Sequence, residues 1–165
     1  MAIKVQGTVR AALQLLVSDS QDNAALAAQV DAGFPALVIP ASADAIFDKR
    51  ATLVASGTVD HDLAGALLNP LRAAVTFARV FAIAIAADDA NVNDVVLGGA
   101  STPFLGPFAD ATDKLKIPPG GAALLQAKGP TGWVVTPATA DLLRVANGGA
   151  GTSVGYRLIV LGSSV

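Results

Sequence analysis

Chemistry is first looked for at Asp60-His61-Asp62, where the single imidazole of the chain stands between two carboxylates. Such a run offers an acid–base pair or part of a metal site. In a strand, however, neighbouring residues face opposite sides, so His61 would point away from both Asp60 and Asp62. With one His and no Cys in 165 residues, a transition metal would be short of ligands. Asp88-Asp89-Ala90-Asn91-Val92-Asn93-Asp94 places oxygen side chains at loose calcium-loop spacing. It has neither the turn Gly nor the distal bidentate Glu of such a loop, and all 13 acidic residues of the chain are Asp. Asp and Asn also favour tight turns, and the run is read as one. Asn147-Gly148-Gly149-Ala150-Gly151-Thr152 lacks the lysine of a phosphate loop and precedes an apolar, strand-like run. Ser18, Ser20, Ser42 and Ser56 have no base near them in the sequence. No spacing singles out a carboxylate pair for a hydrolase. The sequence predicts no catalytic residue, no cofactor, no metal and no enzymatic activity.

The elements that would position these residues read as strands. Sixteen Gly, nine Pro and abundant Thr and Val suit strands joined by turns, and Glu, a staple of helix surfaces, is missing. Strand-like runs span Ile3 to Val17, Ala36 to Ile39, Thr52 to Leu63 and Phe77 to Ala87. In the third, Leu53, Val59, His61 and Leu63 share one parity and Thr58, Asp60 and Asp62 the other, which reads as solvated. In the fourth, Phe77, Arg79, Phe81, Ile83 and Ile85 share a face opposite smaller residues, and Arg79 needs a partner or an exit to solvent. Farther on, Asn93–Leu97, Lys114–Ile117, Ala122–Ala127, Gly132–Thr136, Asp141–Ala146 and Val154–Leu161 are separated by turn signals every 8 to 12 residues. That spacing predicts an all-β antiparallel sandwich or barrel. At most one or two short helices are expected, the best being Asn23 to Ala32, with Leu63 to Ala74 broken by Gly65 and Pro70. The division expected is an N-terminal arm over residues 1–41 and a β-sandwich over 42–165.

Composition narrows the partners. A net charge of −2 and a pI near 5.1 give no electrostatic footprint for nucleic acid or an anionic membrane. The most apolar window, Val75 to Ala87, is too short to span a bilayer and carries Arg79. Lys4, Gln6, Arg10 and Gln14 interrupt the N-terminal apolar run, so no signal peptide is expected and synthesis in the cytoplasm is. Two Pro-rich apolar segments, Phe34 to Pro40 and Thr102 to Phe108, are the candidate interfaces, with Phe34, Leu37, Ile39, Phe104, Leu105 and Phe108 as their anchors. A mean hydropathy of +0.56 predicts that the isolated protein associates with itself.

The C-terminal half carries a recognisable order of strand ends and turns. Gly98-Gly99-Ala100 is followed by the apolar loop and Phe108-Ala109-Asp110-Ala111-Thr112-Asp113-Lys114. Ile117-Pro118-Pro119-Gly120-Gly121-Ala122, Gly132-Trp133-Val134-Val135-Thr136 and Asp141-Leu142-Leu143-Arg144-Val145-Ala146-Asn147-Gly148-Gly149 come next, then the strand Tyr156 to Leu161. Together with Phe47-Asp48-Lys49-Arg50-Ala51-Thr52-Leu53 and Asp62-Leu63-Ala64-Gly65, this resembles small structural proteins in virions of tailed bacteriophages, over roughly Ala43 to the C-terminus. The resemblance implies a jelly-roll-like fold and a non-enzymatic decoration or cement protein on the capsid surface. Its partners would then be the major capsid protein and copies of itself, as a dimer or trimer. Residues 1–41 lie outside the resemblance, and an arm there is expected to tie neighbouring subunits together. A tail or fibre adaptor and a carbohydrate-binding sandwich are the alternatives, the second resting on Trp133 and Tyr156 as platforms.

Overall fold

The computed structural model describes residues 8–9, 12–19, 26–33, 37–65, 67–127 and 131–165. No α-helix occurs among them. The N-terminal strands are β1 (Thr8–Val9), β2 (Ala12–Asp19), β3 (Leu26–Gly33) and β4 (Leu37–Val38). They pair antiparallel, β1 with β4 and β2 with β3, and with neither of the larger sheets. The Thr8↔Val38 and Ala12↔Gly33 registers make them successive lengths of one two-stranded ribbon, offset by a residue between the two ladders.

The remaining strands are β5 (Ala45–Leu53), β6 (Thr58–Asp62), β7 (Leu67–Leu68), β8 (Ala74–Val75), β9 (Arg79–Ala87), β10 (Val95–Gly98), β11 (Lys114–Ile117), β12 (Ala122–Gln126), β13 (Trp133–Val134), β14 (Leu142–Asn147) and β15 (Val154–Ser163). One sheet has the order β11-β10-β14-β6; the other runs β12-β9-β15-β5, with β13 joining the start of β9. Every ladder in both is antiparallel. Among the eight principal strands, consecutive ones lie in opposite sheets except β10 and β11. That is an order consistent with a jelly roll.

Alternation explains why the two sheets face each other. Strand β15 sends Val154, Tyr156, Leu158 and Val160 inward, all fully buried, while Arg157 and Ile159 face out. From the opposite sheet Val95, Leu97, Leu143 and Val145 meet them, closed by Phe47, Ile83, Ile85 and Phe104. Each such side chain contributes about 1.5–3 kcal/mol by leaving water. The sandwich is held by this layer.

Three expectations need correction. Leu26–Gly33 is a strand, not part of a helix over Asn23 to Ala32; residues 23–25 lie outside the described ones. Its apolar Leu26, Ala28, Val30 and Ala32 alternate with Ala27, Gln29 and Asp31, and pairing with β2 overrides the helix propensity of alanine. The run Thr52 to Leu63 is two strands, because a turn at Val54–Gly57, with Ser56 at φ 55°, closes between β5 and β6. Finally, Phe81 does not share a face with Ile83 and Ile85. Leu161 pairs with Ala82 but Gly162 pairs with Val80, leaving Phe81 as the extra residue of a bulge. Val80 thereby joins the inner core, and Phe81 packs with Ala82, Leu161 and Ala43 in a second cluster on the other side of the sheet.

Candidate interaction surface

The residues that suggested chemistry are each used elsewhere. His61 is buried, its Nε2 3.1 Å from the Tyr156 hydroxyl, with the Phe47 ring centroid 5.2 Å away. The hydroxyl donates when the neutral ring carries its proton on Nδ1. Burial, reinforced by Lys49 and opposed by Asp60, lowers the His61 pKa to about 4. Burial alone pushes the Tyr156 hydroxyl up to about 12. Asp60 faces the other way and accepts both arms of Arg144 at 2.7 Å, and that guanidinium holds its carboxyl below the usual range. Asp62 accepts from the backbone N–H groups of Ala64 and Gly65, shaping the turn after β6. The three side chains diverge, as strand parity requires.

The Asp88–Asp94 run likewise points its oxygens at separate partners. Asp88 pairs with Arg50, and Asp94 with Lys116 at 2.7 Å. Asn91 exchanges two hydrogen bonds with the backbone of Gly155. Asn93 donates to Asn147 Oδ1 at 3.0 Å. Asn147 is itself buried and donates to the carbonyls of Val54 and Thr152 while accepting from Gly149 N–H. The glycine-rich segment is thus a turn bolted to its neighbours by asparagines. No group of three or more His, Asp, Glu or Cys side chains is placed to hold a metal ion among the described residues.

Those short, cross-tied turns lie at one end of the sandwich. The opposite end is different. The registers bring the β6–β9, β10–β11 and β12–β14 connections there, with the C-terminus and the start of β5, into which the ribbon feeds. Of the seven large apolar side chains exposed among the described residues, five lie at this end: Leu68, Leu71, Leu105, Val134 and Val165. Leu68 and Leu71, 57% and 72% exposed, flank the tip of the β7–β8 hairpin. Asn69 makes that tip rigid: its buried side chain accepts from the N–H groups of Leu71 and Ala73.

Both predicted apolar segments reach this end, with different fates for their residues. Phe34 lies outside the described residues, and of Leu37 only the backbone pairing with Val9 is described. Ile39 is half-buried against the Phe81–Leu161 cluster. Phe104 is 1% exposed and belongs to the core, so it is not an interface anchor in the folded chain. The loop binds β14 through Phe104 N–H to Leu142 O and Leu142 N–H to Thr102 O, which drives the ring inward. Leu105 stays exposed. Phe108 is half-buried beside Gly98, whose φ of 104° and position against the Asp113 carbonyl oxygen, 2.6 Å from where a Cβ would stand, leave no room for a side chain. With Pro107, Asp113, Lys114, Leu115 and Leu125, Phe108 lines a shallow depression of about 380 Å³. Tyr156, fully buried, presents no platform, while Trp133 packs half-buried against the core.

Sequence reasoning passed over Leu68 and Leu71. Their signal was an apolar run broken by Asn69-Pro70, a turn dipeptide that brings both leucines to a hairpin tip. Arg79, at this end, donates to the Thr131 carbonyl at 2.7 Å. The arrangement offers apolar side chains on braced loops, which is chemistry for contact with protein. Comparison of the chain with family models, curated proteins and solved structures finds no match.

Proposed function

We propose that the chain is a non-enzymatic structural subunit of a tailed-phage virion, a decoration protein that binds the outer surface of the head and stabilises the shell. The observation that carries this reading is the loop-rich end of the sandwich, where five exposed large apolar residues and the root of the N-terminal ribbon converge. Support also comes from the resemblance in strand-end and turn order over Ala43 to the C-terminus, and from a strand order consistent with a jelly roll. A shell presents many equivalent sites, so a modest apolar contact per copy suffices when copies also hold one another. The partner is the major capsid protein, and the place of action is the capsid surface.

The test is co-sedimentation of the purified chain with shells of a phage that encodes it, stripped of this protein. Saturable binding is expected, with loss for the Leu68→Asp/Leu71→Asp variant and retention for Val92→Asp at the other end. Equal binding by both variants, or none by the wild type, would overturn the assignment.

A further inference from the structure

Asn147-Gly148 is the one Asn-Gly step in the chain. An asparagine before glycine is where a polypeptide most readily deamidates, because a residue without a side chain lets its backbone nitrogen swing onto the neighbouring amide. The Gly148 nitrogen attacks Asn147 Cγ, and the new N–Cγ bond forms as the Cγ–Nδ2 bond breaks. The side-chain nitrogen leaves as ammonia and takes the backbone amide proton with it. Water then opens the resulting succinimide at either carbonyl, leaving aspartate or an isoaspartyl linkage at this position. One water enters and one ammonia leaves, with no change of oxidation state.

The fold withholds what this reaction needs. Asn147 is the last residue of β14, and its side chain is buried away from water. The nucleophile is engaged, since Gly148 N–H donates to the Asp94 carbonyl at 2.9 Å. The leaving group is held twice, Nδ2 donating to the carbonyls of Val54 at 2.9 Å and Thr152 at 2.7 Å. One pair of contacts works the other way. Gly149 N–H and Asn93 Nδ2 donate to Oδ1, where they would stabilise negative charge gathering during attack. That assistance is idle while the Gly148 nitrogen cannot approach. The backbone on either side is tied as well: Asn147 N–H donates to the Gly57 carbonyl at 2.8 Å, and Ser56 N–H to the Gly149 carbonyl at 2.9 Å.

We propose that Asn147-Gly148 is a deamidation site gated by the fold, silent in the closed sandwich, reactive once the end of β14 and its turn open, and destructive to refolding after it has reacted. Aspartate at this position has no hydrogen for the Val54 and Thr152 carbonyls and sets a charge against them in a buried site. An isoaspartyl linkage adds a methylene to the main chain and disturbs the Val95↔Asn147 pairing with β10. Unfolding therefore becomes irreversible with time, and copies that open are withdrawn from the folded pool. Whatever binds the folded chain lowers the open fraction and slows the loss. This gate belongs to the chain alone and needs no shell.

For the test, the full-length protein is held at mildly alkaline pH, once in native buffer and once in guanidinium chloride. Mass spectrometry follows the peptide that carries Asn147. Steady conversion of amide to acid is expected in denaturant, with a rate about a hundredfold or more lower in the folded protein. The refolding yield on dilution is expected to fall in step with the loss of Asn147. Gly148→Ala, which slows the attack, is expected to preserve the yield relative to its own value at the start of the incubation. Equal rates in the two conditions would overturn the gate, and no conversion in denaturant would overturn the site. Full recovery of chains already converted at position 147 would overturn the effect on refolding.

Discussion

Burial keeps the His61 ring neutral far into the acid range, and that makes the folded protein acid-sensitive in a defined window. The unfolded chain takes up this proton near pH 6.5 and the folded one only near 4. Between those values the unfolded state binds more protons, so stability rises with pH. The contribution is level above about 6.5 and has fallen by about 3 kcal/mol once pH 4 is reached. Urea unfolding at pH 7 and pH 4.5 should show the difference, and His61→Gln should flatten it. Asp48 and Asp60, held down by Arg157 and Arg144, lose their stabilising charge only below the ordinary carboxylate value of 3.8 and so act in a separate, lower window. Asn147 is the second sensitive position, because its amide satisfies four partners in a buried site. Asn147→Ala should cost about 3 kcal/mol, read as a lower urea midpoint at unchanged slope. The orientation of His61 away from its flanking acids followed from strand parity, but its partner Tyr156 did not. That hydroxyl comes from a strand 95 residues away, and no local pattern announces such a pairing.

At the level of elements, alternation and turn residues carried most of the information. Lys114–Ile117 is bounded as Ile-Pro-Pro-Gly predicted, and β9 and β12 fall within the runs Phe77 to Ala87 and Ala122 to Ala127, while β14 and β15 continue past Ala146 and Leu161 to Asn147 and Ser163. Irregularity is what alternation cannot report. The bulge at Phe81 depends on how β15 approaches β9, and Gly162 makes that approach possible. A methyl group there would lie 2.0 Å from the Arg79 carbonyl oxygen and 2.7 Å from the Phe77 ring. Gly162→Ala should therefore destabilise by about 2 kcal/mol or more, measured by thermal or urea unfolding. The candidate surface was only partly legible for the same reason. An apolar loop such as Thr102 to Phe108 has no periodicity to tell inward Phe104 from outward Leu105, and the pairing of its backbone with Leu142 decides.

On the scale of the whole molecule, the first and last strands of the sandwich are neighbours: β5 and β15 pair over nine residues although about a hundred residues separate them. Nearly every connection crosses between the sheets. Such non-local pairing must form before it is rewarded, so refolding should fall in the millisecond-to-second range rather than microseconds, as stopped-flow tryptophan fluorescence at Trp133 would record. The topology also sorts the loops, setting short asparagine-tied turns at one end and apolar, braced loops at the other. That polarity underlies the proposal that the sandwich stands on a shell by its loop-rich end. Cryo-electron microscopy of stripped phage shells saturated with the purified chain tests it most directly. Symmetric density over the outer lattice is expected, with the β7–β8 hairpin and the Leu105 loop against the shell and the tight turns facing solvent. Density confined to a single vertex or the tail, or a subunit seated by its Val54 and Val92 turns, would contradict it.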